Sequence, residues 1–172
     1  ACLAVVAVYQ SMDDVTVPTR LLAAGAGPDR LAHFVLGSCA GVMLGGLLVA
    51  ALAARLRSIP AMAIGAALIA VGVLAIDQLP LHWLWSAGLV LGLGAGLLSP
   101  AATTLLQQRT PAASRLAVLG AVSAGVESVG PLGSLTAGLL IASLGLGYAA
   151  PLMAAIALAA AMLLWHSGRR SG

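Results

Sequence analysis

The sequence predicts an all-α integral membrane protein, a single six-helix transmembrane domain over residues 1–172. Three observations carry that reading. Hydrophobic residues make up 61% of the chain and charged residues 8%, where a soluble domain carries about 25% charged residues. Mean hydropathy is +1.08. The apolar runs are also interrupted at intervals by short clusters of Gly, Pro, Asp and Arg. A chain this apolar lacks the polar surface to cover itself in water, so lipid must cover most of it.

A spanning helix needs roughly 17–25 mainly apolar residues. On that length the spans fall at about 1–24, 31–53, 59–76, 82–106, 115–143 and 148–166. The joints carry helix breakers: GAGPDR at 25–30, RLRSIP at 55–60, IDQLP at 76–80, QQRTPAASR at 107–115 and GLG at 145–147. None of these joints is long enough to be a separate domain. The chain starts inside the apolar run ACLAVVAV with no basic stretch before it, which argues against a signal peptide and for a piece of a longer protein.

All eight basic residues are Arg, a coding bias that points to a GC-rich bacterial source. The formal charge of +3 is too small to suggest nucleic acid as a partner. The distribution of Arg says more. Arg55, Arg57, Arg109, Arg115, Arg169 and Arg170 fall in the joints after the second and fourth spans and in the C-terminal tail. The opposite joints hold Arg30, offset by Asp29, and Asp77. By the positive-inside rule the first group is cytoplasmic. The expectation is a multi-pass protein of the bacterial inner membrane with its C-terminus in the cytoplasm.

The spans differ in polarity. The third (AMAIGAALIAVGVLAI) and the sixth (AAPLMAAIALAAAMLLW) have no polar side chain. The first carries Tyr9, Gln10, Ser11, Asp13, Asp14 and Thr16, the second His33, Ser38 and Cys39. The fourth carries Ser99, Thr103 and Thr104, and the fifth Ser123, Glu127, Ser128, Ser134 and Thr136. Polar groups are costly in hydrocarbon and belong on a bundle interior or a watery cavity. The first, second, fourth and fifth spans are therefore expected to line a polar path, with the third and sixth outside against lipid. Glycines repeat every four residues at Gly37, Gly41 and Gly45 and again at Gly88, Gly92 and Gly96. The fifth span has Gly130, Ser134 and Gly138. Such stripes allow close helix contact, and packing alone suffices to explain them.

Asp13, Asp14 and Glu127 sit near the middle of their spans. A carboxylate at the bilayer centre costs roughly 2.5–3.5 kcal/mol. It must take a proton, pair with a cation or meet water. Asp14 and Glu127 also lie four residues before Pro18 and Pro131, and Pro100 repeats the arrangement after Gly96. Proline cannot donate to the carbonyl four residues back, so each frees a main-chain acceptor and invites a bend. The candidate proton and substrate path is thus Asp13, Asp14 and Glu127, with Gln10 and Arg20 beside them and Pro18, Pro100 and Pro131 as bends. Two alternatives stand for the first span. Asp13 or Asp14 pairs with Arg20, or the helix breaks near Tyr9 and leaves DDVTVPTR in an interfacial loop. For Glu127 the alternative is a structural, hydrogen-bonded acid.

Trp83, Trp85, Tyr148 and Trp165 fall near helix ends and read as interfacial anchors. Cys2 and Cys39 show no metal-ligand spacing and read as free thiols, and His33, His82 and His166 lie near helix ends rather than in a cluster. No metal and no cofactor are expected. An intramembrane enzyme would need a nucleophile and base within reach. His33 and Ser38 share a helix, but no supporting motif accompanies them, so an enzyme is not expected.

The run GLGAGLLSPAATTLLQQRTPAASRLAVLGAVSAGVESVGPLGSLTAGLL, residues 92–140, resembles the tenth and eleventh helices of the major facilitator superfamily. It has a Gly-rich helix ending in Pro and polar residues, a short Pro/Arg loop, and a helix with a Gly-Pro-x-Gly core. Arg55 and Arg57 resemble that family's short basic loop between helices eight and nine, although Ala53 and Ala54 stand where an acidic residue often precedes it. The resemblance covers nearly the whole chain. It implies helices seven to twelve of a transporter, with seven, eight, ten and eleven around a central cavity. Gly130-Pro131-Leu132-Gly133 is similar to a motif of drug/proton antiporters, where it is best known in the fifth helix, and it points to export. The resemblance thus implies half of a secondary-active carrier, with proton-coupled efflux of small organic molecules. Its partners would be the lipid bilayer, a small-molecule substrate, protons, and a missing N-terminal half or partner chain. The rival reading is a non-transporting remnant or assembly subunit.

Overall fold

A computed structural model describes residues 2–52 and 58–170, and these are helical almost throughout, with no strand among them. The helices are α1 (Cys2–Ser11), α2 (Val17–Ala23), α3 (Pro28–Leu52), α4 (Ser58–Gln78), α5 (Leu84–Arg109), α6 (Arg115–Leu144) and α7 (Leu146–Arg170). α1 and α2 form one interrupted span, joined by a π-helical turn at Met12–Thr16. Five spans, Pro28–Ala51, Ser58–Gln78, Leu81–Arg109, Ala112–Leu144 and Gly147–Ser167, are each long and apolar enough to cross a bilayer. The chain is a membrane-spanning helical protein. Arg55, Arg57, Ala53 and Ala54 lie outside the described residues.

The joints follow from local chemistry. α2 stops at Gly25, whose φ of +64° needs no Cβ. Gly25 N–H bonds Leu22 O and Ala26 N–H bonds Leu21 O, which together close the helix end. Pro28 then opens α3, where its missing N–H costs nothing. α5 and α6 are entered alike. A proline, Pro80 or Pro111, precedes one 3-10 turn, Leu81–Trp83 or Ala112–Ser114. Gly145, at φ +81°, ends α6.

Glycine decides how closely α5 is embraced. Its stripe Gly88, Gly92 and Gly96 faces Phe34, Ser38 and Val42 of α3, while Gly37, Gly41 and Gly45 face Trp85, Leu89 and Leu93. A Cβ added at Gly45 would lie 2.6 Å from the Leu93 carbonyl oxygen. On its other side α5 meets α4, where Gly65 and Gly94 face one another. A Cβ on either would come within 2.6 Å of the other's carbonyl oxygen. α1 meets α6 through Gly130, which abuts the Gln10 side chain, and Gly133, which abuts the Ala7 backbone. Gly138 has open space around it, so the α6 contact runs through Gly130 and Gly133 instead.

The outer position expected for the third and sixth spans needs correcting. α4 packs between α5 and α7, and 56% of its span is buried, against 28% for α3 and 11% for α6. α7 buries an alanine stripe of Ala149, Ala150, Ala154, Ala157, Ala160 and Ala161, with Met153 among them. The reason is that a span without polar groups but rich in Ala and Gly is the easiest to bring close to a neighbour. Polarity tells which surfaces are wet, not which helices are surrounded. Both helices keep an opposite apolar face, with Ile64 and Val71 on α4 and Leu152, Ile156 and Leu163 on α7 exposed.

The main pairings show an internal order that sequence reading did not find. α5 packs on α3 and α4, α1 packs on α6 and α7, and α4 meets α7. Exchanging the first three spans with the last three (α1 with α5, α3 with α6, α4 with α7) maps these pairings onto one another. The exchange is imperfect, since α6 also packs on α7 with no equally close meeting of α3 and α4 among the described residues.

Candidate functional site

The site is built on the interruption between α1 and α2. Pro18 has no N–H and costs least in the first turn of a helix, which is where it lies in α2. The chain achieves this with a π turn just before it, in which Val17 N–H reaches back to Met12 O. The Thr16 hydroxyl also donates to the Ser11 carbonyl, at 3.3 Å. Single π turns of this kind are local departures that re-aim side chains. Here the turn contains Asp13 and Asp14. The span is therefore helical through both acids, rather than breaking near Tyr9 into a loop.

The two acids diverge. Asp13 faces α3, lining an open groove of about 310 Å³ with Tyr9, Val35, Ser38, Cys39, Val42 and Met43. Asp14 faces α6 and accepts a hydrogen bond from Ser134 Oγ at 2.9 Å. One turn before Asp13, the Tyr9 hydroxyl shares a hydrogen bond with buried Ser38 Oγ at 3.1 Å. The polar turn is thus tied to α3 on one side and to α6 on the other. Behind it, Ser11 is buried against α7, with its hydroxyl on Val8 O and near Met153 Sδ.

Satisfaction is incomplete. Asp13 Oδ1 and Gln10 Oε1 are buried with no hydrogen-bond partner. Orphaned acceptors of this kind are rare and call for an explanation. Arg20 does not provide one. Its guanidinium donates to Leu79 O at 2.8 Å, at the C-terminal end of α4, and its second terminal nitrogen is buried without a partner. The pairing of Arg20 with Asp13 or Asp14 is therefore not formed; the ion pair among the described residues is Arg30–Asp29 at 4.0 Å, at the N-terminal end of α3. Arg20 instead meets the negative end of the α4 dipole, a favourable place for a cation.

Glu127 is exposed on α6, two turns before Ser134 and on the same face. Ser123, one turn earlier, continues the stripe. The structure brings Asp14 and Ser134 together and leaves Glu127 roughly 10 Å along the axis, at about 1.5 Å per residue. The polar residues of α5 behave differently. Thr103 Oγ1 bonds Ser99 O at 3.0 Å and Thr104 Oγ1 bonds Pro100 O at 2.8 Å. Their hydroxyls are spent on their own helix. Pro100 and Pro131 sit inside α5 and α6, and both helices run on through them. Arg109 ends α5 and Arg115 begins α6, both exposed.

Sequence reading missed the groove. Tyr9, Ser38 and Cys39 were counted as polar residues of their spans, but their meeting depends on a crossing that no local signal encodes. The apolar wall of Val35, Val42 and Met43 carried no signal at all. No family model, curated protein or solved structure matches the chain.

Proposed function

We propose that the chain is one half of a secondary-active carrier of the major facilitator type, equivalent to helices seven to twelve, which exports small organic molecules in exchange for protons. The observation that carries the reading is the placement of three carboxylates. Asp13 opens toward α3, Asp14 meets Ser134 of α6, and Glu127 is exposed about 10 Å along the same face of α6, on the side where α3 and α6 are least buried and with no cation against them among the described residues. Such groups at membrane depth need water, a proton or another protein surface. A second half facing this side would close a polar cavity around them. The interchangeable pairings of the two three-helix sets support the same reading, because carriers of this kind are built from inverted repeats with the site between them. The arginines at the ends of α5 and α7 and at the start of α6 support a cytoplasmic C-terminus in a bacterial inner membrane.

In this account Asp13 and Glu127 carry protons, Asp14 is held ready by Ser134, and Pro18, Pro100 and Pro131 mark the places where the helices can bend. Substitution of Glu127→Gln in the complete carrier is expected to lower pH-gradient-driven transport about tenfold or more while leaving downhill substrate exchange. The measurement is flux in membrane vesicles with and without a pH gradient. Undiminished coupling would remove Glu127 from the proton path.

A further inference from the structure

We infer that Tyr9 is the proton relay of Asp13: a proton on the buried carboxyl leaves through the Tyr9 hydroxyl to Ser38, and from there enters the groove between α1 and α3. The inference deepens the carrier reading and rests on it only for what the moving proton drives.

The carboxyl is walled in. Asp13 Oδ1 is buried and meets no donor. No cation balances it: Arg20 is committed to the Leu79 carbonyl, and no Arg or His among the described residues lines the groove. A buried carboxyl without a cation neutralises by taking a proton. Asp14, the other acid of the turn, faces the opposite way onto Ser134 and offers no exit toward α3. One turn before Asp13, the Tyr9 hydroxyl lies beside the carboxyl, as residues four apart on a helix do. The same hydroxyl shares a hydrogen bond with Ser38 Oγ at 3.1 Å, in which either oxygen can donate. Ser38 in turn lines the groove beside exposed Cys39. A hydroxyl has one proton to give and lone pairs to accept another, so the three groups form a continuous chain from the carboxyl to the groove. The step balances. Asp13 gives its proton to the Tyr9 oxygen, Tyr9 gives its own to the Ser38 oxygen, and Ser38 gives its own to a water in the groove. At each hydroxyl one O–H bond forms and one breaks, so both end neutral, and Asp13 is left as the carboxylate. Reloading runs the same transfers backwards.

Infrared spectra of the chain in membranes read this path without any transport. The acid C=O band that is lost in Asp13→Asn and displaced in Asp13→Glu belongs to Asp13, and its shift after transfer to heavy water times the exchange of the proton. Tyr9→Phe keeps the ring and removes the hydroxyl. It should slow the exchange about a hundredfold, the lower end of what a positioned acid–base group contributes. Ser38→Ala should slow it as well, and it carries the test alone should Tyr9→Phe fail to fold. Tyr148→Phe makes the same chemical change at the chain's other tyrosine, exposed near the start of α7, and should leave the exchange unchanged. An exchange rate untouched by both Tyr9→Phe and Ser38→Ala would overturn the inference. Faster exchange would overturn it too, by showing that Tyr9 shields the carboxyl instead of serving it. Absence of an Asp13 acid band at neutral pH would leave no proton to relay and would have the same consequence. Slowed exchange in a complete carrier that moves no substrate would keep the relay and sink the carrier reading; pH-gradient-driven transport with exchange indifferent to Tyr9→Phe would do the reverse.

Discussion

Gly92→Val is expected to drive α3 away from α5 and to lower stability by about 3 kcal/mol, the upper range for overpacking a tight contact. A Cβ at residue 92 would run into the Ser38 carbonyl oxygen and main chain, with its Cα 3.0 Å away. Backbone cannot swing aside as the tip of a flexible side chain can. The damage should reach the site, because Ser38 also holds the Tyr9 hydroxyl. Gly138→Val provides the contrast. It places the same side chain where nothing lies within 4 Å, and should change stability by less than about 0.5 kcal/mol. Thermal unfolding of the two variants in detergent, followed by circular dichroism, separates them. Similar losses in both would mean that close approach does not govern these glycines.

Deletion of Val15 is the second large effect. It removes the extra residue of the π turn and lets the span close into continuous α-helix. The π turn absorbs its extra residue within about one turn, so α1 keeps its contact with α6 at Gly130 and Gly133 and α2 keeps Arg20 on Leu79, while the residues inside the turn are re-aimed. The Asp14–Ser134 bond depends on where that turn aims Asp14. The expected cost is about 2–3 kcal/mol, from lost hydrogen bonds to charged groups and disturbed packing. Helix content should stay unchanged while the melting temperature falls. A deletion variant as stable as the parent would show that the π turn sets no geometry.

The fold class was legible because bilayer chemistry leaves a coarse and strong signal: length, hydropathy and breakers suffice for five spans and locate the sixth. The glycine stripes of the second and fourth spans were legible for the same reason, since a four-residue repeat of small residues has few other uses. The fifth span shows where that reasoning stops. Gly130, Ser134 and Gly138 share a repeat, yet α6 touches α1 through Gly130 and Gly133, because which face turns inward depends on the partner. The same holds for α4 and α7. Their lack of polar groups suggested an outer position against lipid, but alanine and glycine brought one face of each into the bundle.

The candidate site was half visible. Asp13, Asp14, Gln10 and Glu127 stand out in any apolar sequence, and Pro18 marks a disturbed backbone. A π turn in place of a simple kink was not predictable from Pro18 alone, since either arrangement frees the helix from its missing N–H. The partners were invisible. Tyr9 with Ser38, Asp14 with Ser134 and Arg20 with Leu79 join residues 29, 120 and 59 positions apart. Pairings at that range come from helix crossings, and the crossings follow from glycine contacts that only the assembled bundle reveals.

In the proposed carrier the open side of α1, α3 and α6 faces water while the exposed side of α7 faces lipid. Single cysteines distinguish the two directly, because a charged, membrane-impermeant thiol reagent reacts only where water reaches. Ser123→Cys, Glu127→Cys and Ser134→Cys lie on the first surface; Leu152→Cys, Ile156→Cys and Leu163→Cys lie on the second, and most of these positions are exposed in the chain alone. With Cys2 and Cys39 replaced by Ser, the account predicts labelling of the α6 set in intact membranes and none of the α7 set until the bilayer is dissolved. Equal labelling of both sets, or labelling of α7 alone, would contradict it.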